Sequence, residues 1–349
     1  MADYRIEKAT DMSYLLQGAT RHTLAGVSPL SNRKMFLAYH QPSFLYGTDT
    51  MSINEGDVER LEVKYRKILK CMLALPDCTS SAAVYFSIGV LPASAQRDVE
   101  ILGLLGQLAL CDEDAQNIKG IIEHSLSFYG IKFNGWSGLV RRTCLKYGLP
   151  DPLQYLQHPW RPDRWRSHCK KVVQEYWDQK LKKSAEIPSL KYLDTEYAST
   201  GVTMRIWQVA GLDAESVKQT TIVNWMLLGV YFTQEFLFTM KKTKSPICLG
   251  CDHGVVETLN HIILHCDHYN SIREAYLPQY LAQNKFISEI LDVEDKILLS
   301  ILDPLSSKLP DSVTKSWLSP NQVYKLSRQL CFNIHSKRKK LYDDAKKLS

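Results

Sequence analysis

The chain has 349 residues, 45% of them hydrophobic and 23% charged, which supports a sizeable core in two or three units and excludes a disordered or fibrous chain. A net charge of +6 permits contact with polyanions without requiring it, and nine mostly scattered cysteines point to a reducing compartment rather than a disulfide framework. The opening MADYRIEKAT has no apolar core of a secretory signal, so an intracellular protein without a membrane span is expected.

Gly26, Pro29, Pro42 and Gly47 divide the first stretch into short pieces, of which Arg33 to Tyr39 reads as a helix. From Asp57 to Leu75, Leu61, Tyr65, Ile68, Leu69, Met72 and Leu73 recur at helical spacing, and Pro76 ends the run. Ser81 to Leu91 is mixed, whereas Pro92 to Leu110 aligns Val99, Leu102, Leu105 and Leu108 on one side of a helix. Another helix is expected over Trp136 to Tyr147. Pro150, Pro152, Pro159 and Pro162 then mark a boundary. Asp163 to Lys183 resumes a helix whose stripe carries Trp165, Cys169, Val172, Val173, Tyr176, Trp177 and Leu181. Ile222 to Met240, interrupted by Asn224, Thr233, Gln234 and Glu235, suits a buried helix better than a bilayer span. Ser319 and Pro320 supply a cap and first-turn proline for a last helix through Lys340. The expected class is mainly α, helical bundle units followed by a zinc module and a C-terminal basic helix: a helical region over 1–150, a helical linker region with the basic amphipathic helix over 151–245, a small zinc-binding module over 246–285 and a C-terminal helical region over 286–349.

Cys248, Cys251, His261 and Cys266 fall within a short window, spaced as zinc ligands are. Gly250 allows the turn that points two thiolates at one ion, and zinc (Zn2+) favours four S and N ligands in a tetrahedron. Thiolates and a neutral imidazole are the ligating forms, so acid should weaken binding. With Glu257 to Leu264 read as a helix, Cys266 lies just past its end, while His265 shares the face of His261 and is the alternative fourth ligand. All four positions can be filled by protein, so the site reads as structural. Glu257 is as well suited to a surface helix position as to a general base.

The segment CLGCDHGVVETLNHIILHCDHYNSIR resembles the C-terminal zinc-binding segment of non-LTR retrotransposon reverse transcriptases: Cys-x-x-Cys, an acidic pair position at Glu257 and Thr258, His-x-x-x-x-Cys, then Arg273. Asp252 replaces a glycine common at that place. Upstream, YHQPSFLYGTD and the stretch from Leu61 to Ala95 are similar to the thumb and connector that follow the polymerase palm, through Pro42, Tyr46, Gly47, Leu75, Pro76, Thr79, Ser80, Gly89, Leu91 and Pro92. The palm itself needs metal-holding aspartates between hydrophobic strands, and the adjacent pair Asp343–Asp344 sits instead in lysine-rich KRKKLYDDAKKLS. The resemblance therefore implies a non-catalytic thumb-to-zinc fragment, with RNA or DNA, and a reverse transcriptase supplied on another chain, as partners. The rival reading is a zinc-stapled helical scaffold for protein interactions.

Candidate nucleic-acid residues are Trp160, Arg161, Arg164, Arg166, Lys170 and Lys171 around the start of the Asp163 helix, and the run Lys337, Arg338, Lys339 and Lys340. Cations neutralise phosphates and an exposed indole stacks on bases; Trp160 is the freer tryptophan, since Trp165 and Trp177 lie on the apolar stripe. The KRKK run also fits a nuclear import signal, which favours the nucleus over the cytoplasm.

Overall fold

A computed structural model describes residues 27–51, 53–110 and 116–348 together with Tyr4, Glu7 and Asp11. The chain is mainly α-helical, and its helix starts follow from side-chain oxygens that accept the free N–H groups of a first turn. Asn54 caps one from Asp57 at 2.7 Å, Asp213 one from Ser216 at 2.9 Å and Thr233 one from Phe236 at 3.1 Å. Pro29, Pro152 and Pro162 open others, where a missing N–H costs nothing.

In order, α1 is Pro29–Met35 and α2 Gln41–Leu45, with a π turn between them at Phe36–His40. Then come α3 Glu55–Met72, α4 Ser81–Ile88, α5 Ala93–Ala109, α6 Gln116–Phe128, α7 Trp136–Lys146 and α8 Pro152–Gln157. They are followed by α9 Pro162–Ser184, α10 Arg205–Gln208, α11 Ala214–Leu227 and α12 Gln234–Thr239. The last four are α13 Asn270–Leu281, α14 Glu294–Leu302, α15 Asp311–Thr314 and α16 Pro320–Leu348. Among the described residues β-structure is limited to two isolated bridges, and no helix is long and apolar enough to cross a membrane.

Two apolar clusters organise these helices. The smaller joins α5, α7, α8 and α9 through Leu102, Leu105, Val140, Tyr155, Trp165 and Val173, drawn from both sides of residue 150. The larger runs from Phe36 to Ile334 and takes in Cys248, Ile262 and Cys266 together with Val323 and Leu330 of α16. Within the smaller cluster α5 and α9 press together. Gly106 makes that approach: a Cβ there would lie 2.3 Å from Trp165 Cδ1, and the Trp165 indole N–H donates to the Leu102 carbonyl at 2.8 Å.

Three local expectations change. Ser81 to Leu91 contains the helix α4, Ser81–Ile88, with every residue except Ser81 buried, so no polar face shows in its pattern; Gly89, at φ +65°, ends it. Ile222 to Met240 is two helices, α11 and α12, because the chain turns at Gly229 with φ +63°, where a Cβ would meet the Ser189 carbonyl oxygen. Glu257 to Leu264 begins its helical turn only after Thr258, whose hydroxyl accepts the His261 N–H at 3.1 Å.

Candidate metal centre

Four side chains from two short pieces of backbone converge at residues 248–266. The first piece is an antiparallel turn. Ile247 bridges Val256, the Cys248 N–H donates to Val255 O at 2.9 Å, and the Glu257 N–H donates to Pro246 O at 2.9 Å. Inside it Gly254 takes a left-handed φ of +66°, and the Gly250 N–H donates to Cys248 Sγ at 3.3 Å, which favours the thiolate.

The second piece is a π turn, His261–His265, and it resolves a geometric difficulty. On an α-helix the fifth residue along is rotated roughly 140° away. Here the Cys266 N–H donates to His261 O at 2.7 Å, the i to i+5 bond of a π turn, and one wider turn returns residue 266 to the side of residue 261.

The donor atoms of Cys248, Cys251, His261 and Cys266 all lie within 4.8 Å of one another. Cys248 Sγ is 3.8 Å from Cys266 Sγ, and Cys251 Sγ is 3.4 Å from His261 Nε2. Such a Cys3His set can hold one metal ion. Burial raises the Cys248 and Cys266 thiols and lowers the His261 imidazole, so the pocket disfavours bare charge and keeps the imidazole in its ligating form. A cation would reverse the preference at the thiols.

His265, the alternative ligand, turns away: its Nε2 pairs with Glu294 Oε1 at 3.0 Å on the surface. The pairing with Glu294, at the start of α14, holds the imidazole away from the donor set.

Glu257 is neither a surface residue nor a free base. It is 0% exposed, and one carboxylate oxygen accepts from the Gln234 N–H at the start of α12 at 2.8 Å, from Arg338 Nη2 at 2.6 Å and from the Tyr342 hydroxyl at 3.1 Å. Arg338 is therefore a correction to the basic run. It is 5% exposed and lies 4.1 Å over the Tyr342 ring. Burial alone would lower its guanidinium, yet Tyr231 and Glu257 beside it hold it above its ordinary value. A periodic signal did exist: Ser327, Cys331, Ile334 and Arg338 share one buried stripe of α16 at helical spacing.

Two further residues brace the turn. Buried Arg273 donates to Cys266 O at 2.6 Å and to Ile262 O at 3.4 Å, satisfying carbonyls freed where the π turn ends. Lys337 donates from Nζ to His268 O at 2.5 Å. Lys339 and Lys340 stay exposed.

On α9 the expected residues divide. Trp165 is buried and Trp177 half-buried, its indole donating to the Tyr147 hydroxyl at 2.9 Å. Trp160 is 41% exposed, with Arg164 at 5.3 Å over its ring and His168 at 5.1 Å. Arg161, Arg166 and Lys171 pair with Asp163, Glu100 and Glu175 at 3.4, 2.7 and 3.9 Å. Lys170, Lys180 and Lys183 lie exposed along the same helix. No family model matches the chain, and neither a curated protein nor a solved structure matches it.

Proposed function

We propose that this chain is a non-catalytic, zinc-stapled helical module of the reverse-transcriptase kind, which presents the outer face of α9 to RNA or DNA and works beside a polymerase on another chain. Zinc is the metal. Tetrahedral Zn–S and Zn–N bonds require S···S near about 3.8 Å and S···N near about 3.5 Å. Two of the donor pairs, at 3.8 and 3.4 Å, fit those values, and three thiolates with one imidazole make a closed, structural donor set.

The observation that carries the reading is that the shared motif works as one unit. Glu257, Thr258 and Arg273, the non-ligand positions of the resemblance, each hold the zinc turn: Thr258 starts it, Arg273 closes it, and Glu257 ties it to α12 and α16. Residues with those jobs follow from building this site and have no role in an unrelated pair of thiols. The nucleic-acid part rests on Trp160 and on the exposed cations Arg164, Lys170, Lys180 and Lys183.

The test is affinity for a structured RNA against salt concentration. Binding should fall steeply with salt, at a slope close to the number of phosphates met, and Trp160→Ala should remove about 1–3 kcal/mol if the indole stacks on a base. No binding at low salt, or a flat salt response, rejects the nucleic-acid role and leaves the scaffold reading.

A further inference from the structure

Lys339 and Lys340, released from the basic run that Lys337 and Arg338 spend on internal contacts, stand with Lys218 of α11 over an open groove of about 980 Å3. Its floor is apolar: Ile222, Trp225, Phe232, Leu237 and Phe332. Lys218 Nζ lies 5.7 Å above the Phe332 ring, so its charge is held at the groove's edge. None of the three lysines makes an ion pair among the described residues, whereas Arg338 beside them is matched by Glu257.

We infer that this groove docks an acidic, amphipathic segment of a partner protein, laid in as a short helix with apolar side chains on the floor and carboxylates toward Lys218, Lys339 and Lys340. Charge complementarity favours an anionic occupant, because Lys218, Lys339 and Lys340, none in an ion pair among the described residues, outnumber Asp343 and Asp344 in the same lining. The floor selects a protein segment over a nucleic acid. Trp225, only 8% exposed, meets Phe232 edge-on at 5.6 Å and 69°, so the largest ring of the floor has little open face to offer a base. The Trp225 indole N–H is already committed to Ala74 O at 2.9 Å. An open trough with aliphatic and aromatic pockets fits the spaced anchors of a helix, at i, i+4 and i+7.

The test uses the full chain and fluorescent peptides of ~15 residues, about four helical turns, with Leu and Phe at i, i+4 and i+7 and Glu on the flanks. The Glu peptide should bind at least about tenfold more tightly than the same peptide with Lys flanks. The exposed double change Lys218→Glu with Lys339→Glu should weaken it by about tenfold or more while leaving metal content and thermal unfolding unchanged. Leu237→Asp should abolish it. Equal binding of the Glu and Lys peptides, no binding of either, displacement of the peptide by a single-stranded RNA, or self-association blocked by the same lysine changes would each overturn the inference.

Discussion

At the scale of single residues, the largest energies sit where charge is buried. Glu257 and Arg338 form a pair almost out of contact with water, 2.6 Å apart. Removing one partner strands the other charge, so Glu257→Ala or Arg338→Ala should each cost about 3–5 kcal/mol in urea unfolding. Lys339→Ala, one position along the same helix and exposed, should fall within about 0.5 kcal/mol. Equal effects of Arg338→Ala and Lys339→Ala would show the buried pair to be inert. His335 supplies a pH signature. Its Nδ1 lies 3.2 Å from the Tyr231 hydroxyl, and burial, with Arg338, Lys339 and Lys218 nearby, pushes its pKa from 6.5 down to about 4. The unfolded chain then binds the extra proton first. This contribution is fully present above pH 6.5, is lost as pH falls toward 4, and totals at most about 3 kcal/mol. His335→Gln should flatten that part of the stability–pH curve.

At the scale of elements, glycines separate close packing from open surface. At Gly106 an added Cβ would strike the Trp165 indole that seats α9 on α5, so Gly106→Ala should destabilise by about 1–3 kcal/mol. In α6 nothing lies within 4 Å of the Cβ position at Gly120, and Gly120→Ala should stabilise by about 0.5–1 kcal/mol through helix propensity. Thermal unfolding of the pair measures both signs together. The π turn makes a further prediction. Cys266→Ser should lose metal, and His265→Ala should keep one ion per chain, because His265 is engaged by Glu294. Retention of metal by Cys266→Ser with loss in His265→Ala would reverse the assignment.

Helix positions were readable where periodicity and flanking prolines agree, as over Glu55–Met72 and Pro162–Ser184. They were less so where burial removes periodicity, as in α4, or where one backbone clash decides a break, as at Gly229. The ligand window was legible because thiol spacing is local. The partner of Glu257 was not, since Arg338 lies 81 residues away.

At the scale of the whole molecule, the metal turn is built into the larger core. Cys248, Ile262 and Cys266 share one apolar cluster with helices from α3 to α16. Removing the metal with a chelator should therefore lower the melting temperature of the bulk helical signal, not merely loosen one surface turn, and added zinc should restore it by mass action. An unchanged helical melt on complete metal removal would show the site to be a decoration. The sequence by itself determined a mainly α-helical chain and one Cys3His window, because helical periodicity and ligand spacing act over a few residues. Only the tertiary structure decided that His265 turns outward, that Glu257 and Arg338 are buried together, and that Lys339 and Lys340 face an apolar groove. Those outcomes depend on contacts between distant segments, whose energies no short stretch of sequence contains.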